Sequence, residues 1–433
     1  MSKGLYSERI PMRWVIVVLL FFMYIINYSD KAILGYAALP IIEDLGLSFV
    51  EFGMVGSSFY WLFSIAGIIG AMLSDKIGTK RMLTIMAIAW TISQFGAFVI
   101  YSLPLLVFSR VFLGAFEGPF LAVAVSHISK WFPPEKRAFA TSLVTSGSMG
   151  AKMMAPLLIF LIHSYSWRIG FGFLGMLSLV WVILWIIIGR EKPKQPVEDV
   201  SQVKLPKLTW AEFSKLLFSV NFTLTTLVFF SAFWVLSWVF VWMPTYLTEI
   251  VQVSPMQMGY IVGGIGIFTS LGSIGVAMLS DRVLKKTKSH RKSRVVVVGI
   301  CLILGSIAFF STTIITSTIG AVIVLGLGLM LVNTIFSIAP QIANQLLPER
   351  KGLASGMLIG LANLAGIIGP LATGKVVQLA GDNVELGFNY SVVLAASLVL
   401  IFSVIFLIFT NPDKKTGKKE KSITTTASTA PIA

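Results

Sequence analysis

The sequence predicts an all-α membrane protein in which twelve transmembrane helices form two six-helix, pseudo-symmetric halves, and three observations predict it. The 433 residues are 56% hydrophobic and only 12% charged, with a mean hydropathy of +0.86, which leaves too little polar side chain to cover a water-soluble globule of this length. Twelve apolar stretches can be marked along the chain, each near the ~20 residues that cross a hydrocarbon layer of about 30 Å. The cations between those stretches alternate from loop to loop, as membrane topology requires.

The spans fall near 14–39, 52–74, 82–102, 104–128, 138–162, 168–189, 222–246, 256–280, 295–315, 318–340, 352–377 and 388–411. Span 1 follows Lys3, Arg9 and Arg13, a start that signal peptides share. Eleven further spans and the lack of a small-residue cleavage site argue for its retention. Spans 2 and 3 are joined by Lys76, Lys80 and Arg81, and spans 4 and 5 by Lys130, Lys136 and Arg137. The basic stretch from Arg190 to Lys215 follows span 6, Arg282 to Arg294 follows span 8, and Arg350 and Lys351 follow span 10. The intervening loops carry Glu43, Asp44, Glu51, Glu249, Asp382 and Glu385, with Arg168 and Lys375 as their cations. The positive-inside rule therefore puts the basic loops and both termini in the cytoplasm, with the chain in the cell membrane. It also accounts for the net charge of +15 without nucleic acid as a partner. The lone Cys301 lies in a hydrophobic span and excludes an intramolecular disulfide.

The chain repeats itself. Ala71-Met72-Leu73-Ser74-Asp75-Lys76 recurs as Ala277-Met278-Leu279-Ser280-Asp281-Arg282, at an offset of 206. Pro134-Glu135-Lys136-Arg137 recurs as Pro348-Glu349-Arg350-Lys351, and Ala155-Pro156-Leu157 as Gly369-Pro370-Leu371, both at 214. Six spans separate the members of each pair, so the repeats have the same orientation in the membrane. Residues 1–189 form the first half, 190–220 a cytoplasmic linker with Pro193, Pro196 and Pro206, 221–411 the second half, and 412–433 a disordered basic cytoplasmic tail. Within the linker, Thr209-Trp210-Ala211-Glu212-Phe213 reads as the opening of a short interfacial helix.

Ionisable groups inside a membrane are costly and are therefore functional candidates. Span 1 contains Asn27-Tyr28-Ser29-Asp30-Lys31, span 4 contains Arg110 and Glu117, and span 5 contains Lys152. Arg110, Gly114 and Glu117 lie within about 40° of one another around a helix, so the two charges share a face about 10 Å apart. Asp30 and Arg110 have similar depths, which predicts a pair between them. It serves coupling or acts as a static link between helices. Glu117 is expected to be an unpaired carboxylate. Lys152 is fourteen residues into its span, too deep to snorkel, and is expected to face a cavity and bind a substrate carboxylate. Asn333, Asn344, Gln345 and Asn363 are polar candidates from the second half. The three histidines, His127, His163 and His290, lie at span ends or in a loop and are set aside.

The loop at Asp75, with Gly78, Lys80 and Arg81, resembles the signature loop of major facilitators, with Ala71 where that family usually has Gly. The resemblance makes Asp75, Arg81 and Asp281 gating residues. Asn27-Tyr28-Ser29-Asp30-Lys31, together with Arg110-x3-Gly114-x2-Glu117-Gly118-Pro119, is similar to the anion:cation symporter family of sugar-acid and organic-anion transporters over nearly the whole chain. That family implies proton coupling through Asp30 and Glu117, with Arg110 beside them. It implies anion contacts from Tyr28, the cation at Lys31 and Asn363. Lys31 stands where the family has Arg, a point charge in place of a planar bidentate binder. Phe63 and Ser148 replace a Tyr and a Gln of several sugar-acid transporters, which weighs against a polyhydroxylated ligand.

No Walker loop, metal-ligand cluster or nucleophilic triad occurs in the sequence, so neither an enzyme nor an ATP-driven pump is expected, and no cofactor or metal. The expectation is a monomeric secondary transporter in the lipid bilayer that takes up a small organic anion by alternating access, coupled to protons, with sodium left open. An efflux antiporter and a non-transporting sensor are the alternatives.

Overall fold

The computed structural model describes residues 10–191, 214, 216–347 and 350–413. Among the described residues, twelve helices are long and apolar enough to cross a membrane: α1 Met12–Tyr36, α2 Phe49–Ile77, α3 Thr79–Val99, α4 Leu103–Trp131, α5 Pro134–Ser164, α6 Trp167–Ile188, α7 Val220–Val241, α8 Pro255–Thr287, α9 Arg291–Ser311, α10 Thr318–Leu346, α11 Gly352–Leu379 and α12 Val384–Phe409. Each matches one predicted span. The chain is an all-helical multi-pass membrane protein, with no strand among the described residues. The proposed interfacial helix at 209–213, most of the linker and nearly all of the basic tail lie outside those residues.

The repeat extends to local geometry. α2 opens with a capping box, in which the Ser48 hydroxyl accepts from the Glu51 N–H and the Glu51 carboxylate accepts from the Ser48 N–H. α8 opens with the same device at Ser254 and Gln257, 206 residues later, so both orphan donors are satisfied in the same way. α1 and α7 both break at their ends, at Ala37 and Trp242, before Pro40 and Pro244. α4 breaks at Gly118-Pro119, where proline has no N–H to give and crowds the preceding turn. Its counterpart α10 breaks at Thr334, whose hydroxyl bonds back to the Leu331 carbonyl at 2.7 Å, a contact that bends helices. α11 breaks at Asn363. α2 is interrupted at Leu62, whereas α8 runs unbroken.

Outward faces carry exposed apolar residues such as Ile65, Ile68, Ile69 and Met72, as a lipid-facing surface does. The halves meet along α2–α11, α5–α8 and α1–α7. Ser57 donates to the Ile367 carbonyl at 2.6 Å and the Val50 N–H to Gln378 at 3.2 Å across the first of these. Gly53 faces the Pro370 backbone so closely that a Cβ there would lie 2.6 Å from the carbonyl oxygen, the small-residue approach typical of membrane helices. These contacts gather at the end away from the basic loops. At the basic-loop end, Pro134–Thr145 and Lys351–Ala362 pack within their own halves, and the bundle is open there.

Candidate functional site

Five helices of the first half, α1, α2, α3, α4 and α6, converge on a buried charge cluster. Asp30 and Lys31 are neighbours on α1, and a helix turns about 100° between them, so they face different partners. Lys31 turns toward α4: its ammonium lies 2.5 Å from Glu117 Oε2, 2.7 Å from Asn27 Oδ1 and 3.2 Å from the Asn27 carbonyl. Three acceptors use all three ammonium hydrogens. Asn27 also donates to Glu117 at 2.9 Å, and the rings of Phe59 and Phe63 flank the ammonium at 5.7 and 5.8 Å. Glu117 is therefore not the unpaired carboxylate expected from the sequence. The approach of α4 to α2 is set by Gly114, which abuts the Phe59 carbonyl.

Asp30 turns instead toward α3 and accepts from Gln94 at 2.5 Å. The expected side-chain pair with Arg110 is not formed. Arg110 donates to the backbone carbonyl of Asp30 at 3.3 Å and lies over the Phe171 ring at 5.4 Å. One oxygen of each acid, Asp30 Oδ2 and Glu117 Oε1, is buried without a hydrogen-bond partner. Asp30, Arg110, Glu117 and Gln94 are all at most 2% exposed, so a charge held there is sensitive to every neighbour.

Between the halves lies a cavity of about 780 Å³ including its mouth. Tyr28 and Lys152 line it, and the second half contributes Val235, Phe240, Ile265 and Phe336. Lys152 donates across the interface to the Gly266 carbonyl at 3.0 Å and to Ser270 at 2.8 Å, and stands 5.8 Å from the Tyr28 ring centroid. Two of its three hydrogens are thereby engaged. Lys31 and Asn363 are not part of the wall; Asn363 donates to Ser64 of the opposite half at 2.9 Å. Asn333 lines the cavity and donates to Ser273 at 2.8 Å.

The loop residues differ between the halves. Asp281 pairs with Arg294 at 2.6 Å within its own half, whereas Asp75 and Arg81 are exposed and make no hydrogen bond or ion pair among the described residues. The start of α3 is held by a residue not singled out from the sequence. Glu191, just past α6, accepts from the Thr79 and Lys80 N–H groups at 2.9 and 2.6 Å and from the Lys130 ammonium at 2.5 Å. Burial by itself raises the Glu191 carboxyl, but the hydrogen bonds from Lys130, Lys80 and Thr79 outweigh it and bring it down to about 2. His127, set aside above, is fully buried and shares a 2.8 Å hydrogen bond with Thr79 in the same network. The turn before α3 takes Gly78 at φ 92°, a conformation that side chains resist.

Twelve spans in two halves, closed at one end over a central cavity, define a membrane transporter. The chain matches the model of the Major Facilitator Superfamily over residues 20–350, and it belongs to that family of transporters, not to the enzymes. It is 27% identical to the hexuronate transporter of Bacillus subtilis, over 94% of this chain and 96% of that one. It is 26% identical to the probable sulfoacetate transporter of Cupriavidus necator, over 95% and 98%. Among solved structures, a bacterial homolog of the human lysosomal transporter Spinster superposes with a TM-score of 0.77 at 17% identity, over 92% and 96% of the two chains. The D-xylose-proton symporter superposes at 0.74 and 14% identity, over 93% and 99%.

Proposed function

We propose that this protein takes up a small organic anion together with protons across the cytoplasmic membrane, by alternating access of its two halves. The observation that carries the reading is the saturated ammonium of Lys31, shared between Glu117 and Asn27. A carboxylate ligand and the Glu117 carboxylate compete for one cation. A proton on Glu117 weakens its hold on Lys31 and leaves the ammonium to the ligand, so anion and proton load together. The Asp30 carboxylate, bonded among the described residues only by the neutral Gln94 side chain, is the second protonation site, and Arg110 fixes the α1 backbone beside it. Tyr28, Lys152 and Asn363 complete the anion path, and Asp75, Arg81 and Asp281 gate the basic-loop end.

The names of the relatives, hexuronate and sulfoacetate transporters, support an organic anion as substrate. With the basic loops and both termini in the cytoplasm, the conformation described here is open to the cell interior. Residues 1–189 and 221–411 act as the rocking halves, and 190–220 links them.

Proteoliposomes test this directly. An alkaline interior should drive accumulation of a labelled organic anion from a panel of carboxylates and sulfonates, and a sodium gradient alone should not. Expulsion of the anion as protons enter would establish an antiporter. Binding without flux under any gradient would establish a sensor.

A further inference from the structure

The wall of the cavity limits what the anion can be. Of the residues that line it, Lys152 is the only one with a formal charge, and the rest of the polar supply is small. The Asn333 amide already donates to Ser273, and the Thr269 hydroxyl to the Gly266 carbonyl at 2.9 Å. That leaves one hydrogen of Lys152, the second amide hydrogen and the carbonyl oxygen of Asn333, the Thr269 oxygen as an acceptor, and the Tyr28 and Tyr36 hydroxyls, which have no hydrogen bond among the described residues. The remainder is aliphatic or aromatic, with Val235, Leu236 and Val239 along one side and Phe240 and Phe336 across it. The Tyr28 and Phe240 rings stand edge to face at 5.3 Å, a geometry that a third ring can extend.

Resting on the transport reading above, we infer that the substrate is a monocarboxylate with an apolar, flat or branched body, such as an arylacetate, and not a polyhydroxylated sugar acid. Lys152 takes the carboxylate together with Lys31 once Glu117 is protonated, and the Phe240–Phe336 side takes the body. A hydroxyl in excess of those few partners loses its water and gains no hydrogen bond in return, which lowers affinity about tenfold each time. A hexuronate presents several hydroxyls to a wall that offers few acceptors. An aryl or branched alkyl group gains from the same surface.

The test is a thermal-shift titration of the full chain in detergent with phenylacetate, 4-methylpentanoate and glucuronate, followed by counterflow in proteoliposomes. Phenylacetate should stabilise the protein at a concentration at least about tenfold below glucuronate. Lys152→Met should abolish the phenylacetate shift, and Val239→Asn should weaken it without gain for glucuronate. Where either variant does not fold, the competition between phenylacetate and glucuronate on the parent protein decides alone. Glucuronate binding as tightly as phenylacetate, with counterflow, would overturn the inference and leave the organic-anion reading intact. Absence of binding and counterflow for all three overturns the inference; if the wider panel also fails, the organic-anion reading falls with it.

Discussion

Glu117→Gln isolates the charge in the Lys31 cluster, because the amide keeps an acceptor at nearly the same place and removes the negative charge. Lys31 is 14% exposed at the side chain and Glu117 is not exposed at all, so the pair is poorly screened. Breaking a fully buried pair costs about 3–5 kcal/mol. With Asn27 still accepting from Lys31 at two atoms, the loss of stability should fall at or below about 3 kcal/mol. The functional effect is sharper. If one proton on Glu117 is linked to anion binding, the parent's Kd rises about tenfold per pH unit once Glu117 is ionised. In Glu117→Gln the slope from this site should vanish, and binding should stay at the level the parent reaches at low pH. The anion then serves as the counter-ion of Lys31, so ligand should stabilise the variant more than the parent. Thermal-shift titrations across roughly pH 5 to 8 read the slope. Counterflow and pH-driven uptake in proteoliposomes read the coupling: exchange should persist, and uphill accumulation should be lost. Uphill uptake at the parental rate, or an unchanged pH slope, would leave Glu117 as a group that only packs α4 against α1.

Other perturbations follow from the same geometry. Gly53→Ala places a Cβ whose three nearest neighbours are backbone atoms of Pro370 and Leu371 in the opposite half; it should leave the fold intact and bias the protein toward opening at the far end, read as increased labelling of a cysteine at Val239 from that side. Gly114→Ala, whose Cβ would meet Phe59 within the same half, should instead lower thermal stability. Glu191→Gln removes the anionic cap of α3 and should cost about 1 kcal/mol, less than a buried cap because the carboxylate is about one-third exposed. Since the Glu191 carboxyl is held down to about 2, its contribution is full above the ordinary carboxylate range of about 4.3 and is lost as pH falls from there through about 2. The stability gap between parent and variant, followed by thermal denaturation, should therefore be flat at neutral pH and narrow only under acid. On a Cys301→Ala background, a cysteine at Asp382 should react with an impermeant maleimide on intact cells and one at Lys288 should not; the reverse would invert the orientation.

The spans were legible because lipid imposes a length and a composition on every crossing, and the basic loops marked where each crossing ends. The repeat was legible at Asp75 and Asp281, and it proved deeper than the words that announced it, since Ser48 and Ser254 cap their helices alike. The partners within the site were not legible. Depth put Asp30 level with Arg110, but depth says nothing of the azimuth, and one step of helix sent Asp30 to Gln94 and Lys31 to Glu117. Gln94 carried no signal, because one neutral amide in an apolar span reads like any helix-to-helix contact. Glu191 was hidden as one of several carboxylates in a basic linker, and only the fold shows Thr79, Lys80 and Lys130 donating to it. The apolar wall of the cavity was invisible for a different reason. In a soluble protein an apolar residue facing a cavity stands out against a polar surface, whereas Val235, Leu236 and Phe240 share the composition of residues that face lipid.

The charges of the site and cavity are unevenly shared, and the imbalance bears on how binding is transmitted. Asp30, Lys31, Arg110, Glu117 and Lys152 all belong to the first half, and the second half answers at the cavity with backbone carbonyl, hydroxyl and hydrocarbon. A ligand between the halves thus draws its charge complement from one side and its apolar contact from the other. Lys152 is the side chain that connects the two roles, because its bonds to Gly266 and Ser270 hold α5 to α8 in the conformation closed at the far end. A carboxylate arriving at that ammonium competes with both bonds, each worth about 1.5–3 kcal/mol for a charged donor. Weakening them lowers the stability of the closed far end by a comparable amount, enough to shift a two-state balance by tenfold or more. On the proposed coupling, occupancy would loosen the α5–α8 contact as a proton on Glu117 released Lys31. The two lysines would act in series, Lys31 coupling the anion to the proton and Lys152 coupling the anion to the movement of the halves. Lys152→Met should accordingly separate these functions: the pH dependence set by Glu117 should persist in any residual binding, while exchange across the membrane loses its acceleration by substrate. Exchange as strongly substrate-dependent as in the parent would remove Lys152 from the gate.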